Sequence, residues 1–162
     1  LFARKRGRRV LDVFDFAAPL PGIGICAVRI GNFINSELWG APTDWKYGFL
    51  VPDPATGQLI GRHATQLYEA FFEGLVMFVL ILWFARKPRA RGMLVGLFLS
   101  WYAIVRIGVE FVRVPDAQIG SLMQDWLTMG QVLSWPMLVA GLWLLAQGRF
   151  QGQPSGNYAA RA

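Results

Sequence analysis

Apolar residues in this chain are grouped into long runs that are separated by shorter polar segments. A helix that crosses a bilayer needs ~20 mainly apolar residues, with ~17 as the lower limit. Four runs reach that length, at about residues 16–33, 67–84, 93–112 and 130–147. The pattern therefore predicts an all-α polytopic membrane protein, with about four transmembrane helices in a domain of residues 1–150.

The first and last of these runs carry helix-breaking residues. Two prolines and two glycines interrupt the first run: Pro19, Pro21, Gly22 and Gly24. Such breaks are tolerated in a membrane only where neighbouring helices satisfy the freed backbone groups. Asp15, directly before this run, is expected to cap its N-terminus, and Pro136 is expected to bend the last span.

The polar segment of residues 34–66 is predicted to form a small extracytoplasmic head. Its turn signals are Pro42, Pro52, Asp53-Pro54 and Thr56-Gly57. These signals favour a hairpin, and we expect the head to rest on the bilayer surface. At the other end of the chain, residues 151–162 are polar and Gly-rich, which predicts a disordered cytoplasmic tail.

Composition and charge agree with the membrane assignment. Of the 162 residues, 54% are hydrophobic and 16% are charged, whereas a soluble domain has about a quarter of its residues charged. The net charge is +6, but the basic residues form two blocks, 4–9 and 86–91, that each abut an apolar run. This is the positive-inside arrangement, so we expect no nucleic-acid partner and place both blocks on the cytoplasmic side.

The cysteine content and the start of the chain carry two further inferences. A single cysteine, Cys26, excludes an intrachain disulfide and a Cys-clustered metal site. The sequence from Leu1 to Lys5 resembles that from Trp83 to Lys87, which ends an apolar run. We therefore expect Leu1 to be the inner end of an earlier span and the chain to be part of a longer protein.

Ionisable residues inside the spans fall mostly in the outer half of the membrane. They are Arg29 in the first span, Glu69 and Glu73 in the second, and the stripe of Tyr102, Arg106, Glu110 and Arg113 in the third. Charged residues at bilayer depth indicate a functional site. A lone structural ion pair would not place polar groups from three spans at one depth.

The charged residues also have structural interpretations. Arg106 and Glu110 fit an i,i+4 pair that neutralises itself inside a helical bundle. Glu69 and Glu73 fit the start of a helix that faces interfacial water. Both interpretations stay open at the level of the sequence.

Other polar and small residues are open to the same double interpretation. Asn32 and Asn35 fit backbone caps or turns as well as ligand contacts. His63 lies in a loop, where a solvated or backbone-bonded histidine is commoner than a base. Gly92 and Gly96, spaced by four, indicate close contact between helices.

The arginines indicate the class of ligand. A guanidinium binds phosphate bidentately and keeps its proton when buried, and Arg29 and Arg106 are expected at similar depth. A lipid phosphate at head-group level is the natural anionic partner. The residues alone therefore indicate a membrane protein that binds a phospholipid head group in the outer leaflet, and they do not distinguish an enzyme from a lipid-binding or lipid-translocating protein.

The segment of residues 29–40 carries a specific motif. It reads RIGNFINSELWG and resembles, almost letter for letter, the signature of the bacterial phosphatidylglycerol–prolipoprotein diacylglyceryl transferases. Further matches to that family follow in order: Arg62-His63-Ala64-Thr65-Gln66-Leu67-Tyr68-Glu69, Arg86-Lys87-Pro88, Tyr102 to Phe111, Pro115-Asp116-Ala117-Gln118 and Met129-Gly130-Gln131. The resemblance covers nearly the whole chain apart from its C-terminal end.

The resemblance implies a multi-pass enzyme of the bacterial cell inner membrane, with its active site towards the periplasmic, outer leaflet. Such an enzyme transfers the diacylglyceryl group of phosphatidylglycerol to the lipobox cysteine thiol of a prolipoprotein, forming a thioether and releasing glycerol phosphate. The implied partners are phosphatidylglycerol, the prolipoprotein signal peptide and membrane lipids, with no metal and no organic cofactor. The alternative function is non-enzymatic phospholipid binding or translocation.

The resemblance also suggests roles for individual residues. By motif position, Arg29 and Arg106 resemble the family's essential arginines and would hold the phosphate of the donor and of the leaving group. Tyr102 and Glu110 match polar positions that flank Arg106 and complete the predicted catalytic set. The predicted phosphatidylglycerol-binding set is Arg29, Asn32, Asn35, Glu37, Gly40 and Arg106.

The chain departs from the family pattern in two respects. The family has a His-Gly-Gly motif upstream of the signature, and none occurs in these 162 residues. His63 belongs to a different motif and is not assigned the role of base, so we expect this chain alone to be inactive. Ala64-Thr65 stands where the family commonly has Pro-Ser, which touches no charged position.

Overall fold

The structure, a computed structural model, describes residues 7, 9–53, 56–114 and 129–151. The elements in chain order are α1 (Val10–Ala17), α2 (Leu20–Ile34), β1 (Phe49–Pro52), β2 (Leu59–Arg62), α3 (Thr65–Glu69), a π-helical segment (Ala70–Val76), α4 (Met77–Ala85), α5 (Met93–Glu110) and α6 (Met129–Gln151). The motif at residues 115–118 and the predicted tail beyond residue 151 lie outside the described residues.

The helices confirm the predicted fold class. Among the described residues, three helices are long and apolar enough to cross a membrane: Thr65–Ala85, Met93–Glu110 and Met129–Phe150. Helices α1 and α2 together form a fourth, bent candidate. Large apolar side chains such as Val79, Trp83, Leu133 and Trp143 are exposed, as expected for helices whose outer surfaces face lipid.

The first candidate span is broken where the prolines and glycines interrupt its sequence. Helices α1 and α2 meet at an angle of 42° around Ala18 and Pro19. The expectation that Asp15 caps this span is wrong, because Asp15 lies inside α1 and its carboxylate accepts hydrogen bonds from the backbone N–H groups of Gly92, Leu94 and Val95. Asp15 therefore caps α5, and its negative charge also favours the N-terminus of that helix.

Small residues let α2 cross the π-helical segment at close range. A Cβ atom at Gly74 would lie 2.6 Å from Cys26 Cβ and 2.9 Å from the Cys26 backbone nitrogen. On the facing helix, a Cβ atom at Gly22 would lie 2.9 Å from the Gly74 carbonyl oxygen. Any side chain at these glycines would push the two backbones apart. The lack of a side chain at both positions therefore permits the short distance between the helices.

Helices α5 and α6 pack in the same way along most of their length. A Cβ atom at Gly96 would lie 3.0 Å from the Gly141 carbonyl oxygen, which confirms the predicted close contact at Gly96. Gly92 has a different role, because it adopts φ +80° directly before α5, a conformation that favours glycine. It presents its N–H to Asp15.

The predicted head contains an antiparallel hairpin, β1–β2, in which Phe49 pairs with Arg62 and Pro52 pairs with Leu59. The hairpin prediction is confirmed. The Phe49 ring contacts Phe33 at 5.3 Å and Trp39 at 5.7 Å between ring centroids. These aromatic contacts hold the hairpin against the C-terminal end of α2.

The apolar core lies where α1, α2, α4 and α5 meet. Its fully buried members are Met77 and Ile81 on α4, and Ala18 and Leu94 pack with them. The Asp15 cap lies at the N-terminal end of α5, and the charged residues described next lie towards its C-terminal end.

Candidate functional site

Arg29 reaches the site from the face of α2 that crosses the π-helical segment. Gly22, Cys26 and Arg29 are spaced by four and three residues, so they share one face of that helix. Because Gly22 and Cys26 form the close crossing with Gly74, Arg29 is held about one turn beyond it. The neighbouring turn of the partner helix carries Glu69.

Three arginines converge on Glu69: one from α2, one from α5 and one directly after α5. Arg29 Nε pairs with Glu69 Oε2, and Glu69 Oε1 accepts from Arg106 Nη1 at 3.5 Å and from Arg113 Nη1 at 3.4 Å. The Glu69 side chain is only 2% exposed. The structure thus brings together Arg29 and Arg106, the two arginines singled out from the sequence.

Glu110 makes a second contact with the same cluster. Its Oε2 pairs with Arg106 Nη2 at 3.1 Å, so Arg106 is held by a different carboxylate on each terminal nitrogen. The i,i+4 pair of Arg106 with Glu110 is therefore present, but it is one part of a larger network. A Cβ atom at Gly130 would lie 2.8 Å from Glu110 Oε2, so the glycine of the Met129-Gly130-Gln131 match lets α6 approach this carboxylate.

Glu73 and Tyr102 lie in the electrostatic field of the arginines. Glu73 is fully buried and interacts electrostatically with Arg29, Arg106 and Glu69. Tyr102 is half-buried, interacts with the same charges and stacks on the Phe98 ring at 6.1 Å. We call the set of Arg29, Glu69, Glu73, Tyr102, Arg106, Glu110 and Arg113 the arginine cluster.

The arginine cluster has equal numbers of formal positive and negative charges. It contains three guanidiniums and three glutamates, and two of the glutamates, Glu69 and Glu110, pair with the arginines. Buried charges are stable only when they are paired and hydrogen-bonded. Glu69 and Glu110 therefore hold the three guanidiniums close together and orient them while no other anion is present.

The structure does not bring all of the predicted lipid-binding residues to the arginine cluster. Asn35 and Glu37 are exposed, and neither side chain makes a hydrogen bond or ion pair within the part of the chain that the structure describes. Asn32 is half-buried, and its carbonyl oxygen accepts from the Glu37 N–H at 2.9 Å. The signature thus turns sharply after α2, and Ser36 and Leu38 adopt φ values of 56° and 59°.

Gly40 has a packing role in the structure. Its N–H donates to the His63 carbonyl at 2.8 Å, and its own carbonyl accepts from Arg62 Nη1 at 3.2 Å. A Cβ atom there would lie 2.6 Å from both Thr65 Cγ2 and the Val112 carbonyl oxygen. Gly40 therefore joins the signature to the end of α5, beside the arginine cluster.

The Arg62–Glu69 motif attaches the signature to the helix that carries Glu69. Thr65 Oγ1 donates to the Leu38 carbonyl at 2.9 Å. Gln66 Nε2 donates to the Glu37 carbonyl. His63 Nδ1 lies 3.2 Å from the Tyr68 hydroxyl, a contact that holds its ring within the loop.

Glu69 is the central residue that the sequence-based site lacked. Of the two interpretations left open for it, the interfacial one is wrong, because the carboxylate is buried among three guanidiniums. Its place at the end of the Gln66-Leu67-Tyr68-Glu69 match is the signal that pointed to it. Among the described residues, no group of three or more His, Cys, Asp or Glu side chains is placed to hold a metal ion.

Fold and site together define a polytopic helical membrane protein with a buried arginine–carboxylate network at one end of its helices. A sequence model of the prolipoprotein diacylglyceryl transferase family matches residues 1–147, and the chain belongs to that family.

Curated relatives named phosphatidylglycerol–prolipoprotein diacylglyceryl transferase agree with this membership. The chain is 49% identical over 146 residues to the protein of Solidesulfovibrio magneticus, covering 90% of the chain and 55% of the relative. It is 50% identical over 145 residues to that of Pseudoalteromonas translucida, covering 90% and 53%. The match to Pseudomonas syringae pv. syringae is 46% over 159 residues, covering 98% and 58%. The chain thus spans about half the length of the curated relatives it matches.

Proposed function

We propose that the protein containing this chain transfers the diacylglyceryl group of phosphatidylglycerol to the lipobox cysteine thiol of a prolipoprotein. The products are a thioether and glycerol phosphate. Family membership supports the reaction, and the names of the relatives supply the two substrates. The observation that carries the proposal is that Arg29 and Arg106 bind opposite oxygens of the buried Glu69 carboxylate.

The reaction makes a specific electrostatic demand on the site. The cysteine sulfur attacks the glycerol carbon that bears the phosphate, a C–S bond forms and the C–O bond breaks. The thiol loses its proton, since the thiolate is the nucleophile. The phosphodiester of the donor carries one negative charge, and the departing glycerol phosphate gains a second one. Preorganised cations that meet this developing charge lower the barrier.

Arg29 is the guanidinium best placed to supply a free fork to a phosphate. Only its Nε is engaged by Glu69, and its two Nη groups make no hydrogen bond or ion pair with any described residue. Arg106 is instead held at both Nη groups. We infer that Arg29 binds the phosphate bidentately and that Arg106, together with Arg113, adds positive charge at a fixed position.

The remaining predicted residues fit supporting roles in this proposal. Glu110 fixes Arg106 through the 3.1 Å pair, and Tyr102 places a hydroxyl in the same field. Asn32, Asn35 and Glu37 belong to the end of α2 and the turn that follows it, beyond Arg29. The base that takes the thiol proton is assigned to no residue of this chain.

The distribution of charge supports a location in the bacterial inner membrane with the arginine cluster towards the periplasmic leaflet. Arg86, Lys87, Arg89 and Arg91 lie between α4 and α5. Arg106 and Glu110 lie at the opposite end of α5, about 20 Å away at the usual helical rise. The positive-inside rule puts the basic loop in the cytoplasm, which directs the arginine cluster and the hairpin outwards.

A transfer assay tests the proposal. The protein is made from its complete gene, purified in detergent, and mixed with phosphatidylglycerol labelled in its acyl chains and with a peptide that carries a lipobox cysteine. We expect labelled thioether product from the wild type and a loss of about 100-fold or more in Arg29→Ala and Arg106→Ala. Arg91→Ala is the matched control, because it removes an arginine–carboxylate pair at the far end of α5.

The outcomes separate the candidate functions. Wild-type protein that binds or moves phosphatidylglycerol without forming product would support the non-enzymatic alternative. Wild-type turnover by Arg29→Ala and Arg106→Ala would show that the arginines do not hold the phosphate. A loss of the same size in Arg91→Ala would mean that the assay reports folding and not phosphate binding.

A further inference from the structure

Glu73 is a buried carboxylate with no partner in the described part of the chain. Its relative exposure is 0%, and neither of its oxygens has a hydrogen bond or an ion pair there. The other buried carboxylates in that part are all engaged: Asp15 by three backbone N–H groups, and Glu69 and Glu110 by arginines. Leaving such a group unsatisfied is strongly unfavourable, so Glu73 indicates a missing hydrogen-bond donor.

The residues around Glu73 indicate where the missing hydrogen-bond donor would lie, which is close to the three arginines. Glu73 follows Glu69 by about one helical turn and interacts electrostatically with Arg29, Arg106 and Arg113. It lies in the π-helical segment, directly before the Gly74 that α2 crosses. Single π-helical turns occur often at functional sites. A ligand held by the arginines would therefore extend to Glu73.

The chemistry of a carboxylate decides which part of a ligand it can bind. An ionised carboxylate accepts hydrogen bonds and donates none, and a phosphate group does the same. A phosphate is therefore attracted by the arginines and repelled by Glu73. The group next to the phosphate must instead supply donors, and two hydroxyls would satisfy the two oxygens of Glu73.

We propose that Glu73 binds the two hydroxyls of the glycerol head group of the donor lipid while the arginines bind its phosphate. This inference rests on the proposed function and adds a residue that selects the head group. The diol remains part of the leaving group, so Glu73 touches the departing glycerol phosphate and takes no part in the bond changes. Glu73 is thus a specificity-determining residue.

Donor lipids that differ only in the head group test this proposal. The donors are phosphatidylglycerol, phosphatidylpropanol, which has the same carbon chain without the hydroxyls, and phosphatidylethanolamine. All three yield the same thioether product, so one assay with label in the acyl chains measures kcat and KM for each. The variants are Glu73→Gln, which keeps one acceptor oxygen, and Glu73→Met, which keeps none.

The expected result is a change in discrimination. For the wild type, kcat/KM with phosphatidylglycerol should exceed that with phosphatidylpropanol by about 10- to 100-fold, since hydroxyls bound to a charged acceptor are lost. Glu73→Gln should reduce this ratio and Glu73→Met should bring it close to one, mainly through a higher KM for phosphatidylglycerol. Thermal unfolding should show both variants to be as stable as the wild type or more stable, because an unpaired buried charge has been removed.

Several results would overturn the proposal. An equal loss of kcat with all donors would indicate a base or another role in the chemical step. A change confined to phosphatidylethanolamine would indicate a site for an ammonium group. An unchanged ratio with full activity would show that Glu73 does not contact the head group. Failure of the proposed function is distinguishable from all of these, because the wild type would then form no product from any donor.

Discussion

The guanidiniums of Arg29 and Arg106 bind opposite oxygens of one buried carboxylate, although the head and another membrane helix separate them in the sequence. Two guanidiniums that share one carboxylate lie close together, and their positive charges repel strongly in a medium of low dielectric constant. Glu69 offsets that repulsion and fixes both guanidiniums before a lipid arrives. A phosphate that enters next to Arg29 then meets donors that need little reorganisation.

Replacing Glu69 tests this balance of charge. Glu69→Gln leaves three arginines without their shared carboxylate, so we expect the free energy of unfolding to fall by about 3 kcal/mol. A phosphate would partly replace the missing charge. Thermal unfolding in micelles should therefore show a larger stabilisation by phosphatidylglycerol over phosphatidylcholine in the variant than in the wild type. Equal stabilisation in both proteins would mean that the arginines do not face the lipid phosphate.

The geometry of the arginine fork, and not its charge alone, should matter at position 29. Arg29→Lys keeps the positive charge but loses the planar fork that binds phosphate bidentately. We expect transfer activity to fall about 100-fold with phosphatidylglycerol while the unfolding temperature changes little. Arg91→Lys, a matched change at the Asp12 pair, should retain activity. An active Arg29→Lys enzyme would show that position 29 supplies only a point charge.

The close crossing of α2 on the π-helical segment should be necessary for the site. Gly74→Ala introduces a Cβ atom 2.6 Å from Cys26 Cβ, so α2 must move away and carry Arg29 with it. We expect a loss of about 1–3 kcal/mol of stability together with a loss of transfer activity. Gly24→Ala is the control, because a Cβ atom there has nothing within 4 Å and alanine favours the helix. Full activity in Gly74→Ala would show that the crossing tolerates separation.

Asp15 should stabilise the start of α5 and have no direct part in catalysis. Asp15→Ala removes the acceptor of three backbone N–H groups, which should lower the free energy of unfolding by about 2 kcal/mol. Asp12→Ala removes a partly exposed ion pair with Arg91 and should lower the free energy of unfolding by less, about 1 kcal/mol. Unfolding temperatures of the two variants in the same detergent give the comparison. Equal losses would contradict the capping role.

The sequence predicts those parts of the fold and of the arginine cluster that depend on local residue patterns. The membrane helices and the hairpin depend on composition and turn residues, which the sequence displays directly. The proximity of Arg29 to Arg106 is predicted from the similar depth of the two residues in their membrane spans. The central position of Glu69 depends on the crossing of two helices at Gly22 and Gly74. A glycine in the sequence does not show which other helix will pack against it.

The position of Asp15 shows the same limit. An acidic residue before an apolar run predicts a cap for the helix that follows it, and the rule fails here because α1 already begins at Val10. Asp15 instead accepts hydrogen bonds at the start of a helix that begins at Met93. Contacts between residues so far apart in sequence depend on the packing of whole helices, which local patterns do not contain.

Gly40 gives a final prediction that separates packing from lipid contact. A Cβ atom there would lie 2.6 Å from the Val112 carbonyl, so Gly40→Ala should separate the signature from the end of α5 and displace Arg113 with it. We expect a loss of about 1–3 kcal/mol in the free energy of unfolding, followed by a fall in kcat. Gly31→Ala, in the same motif but with nothing within 4 Å, should leave stability unchanged. If Gly40→Ala instead raised only the KM for phosphatidylglycerol, with an unchanged unfolding temperature, Gly40 would contact the lipid and the packing role would be rejected.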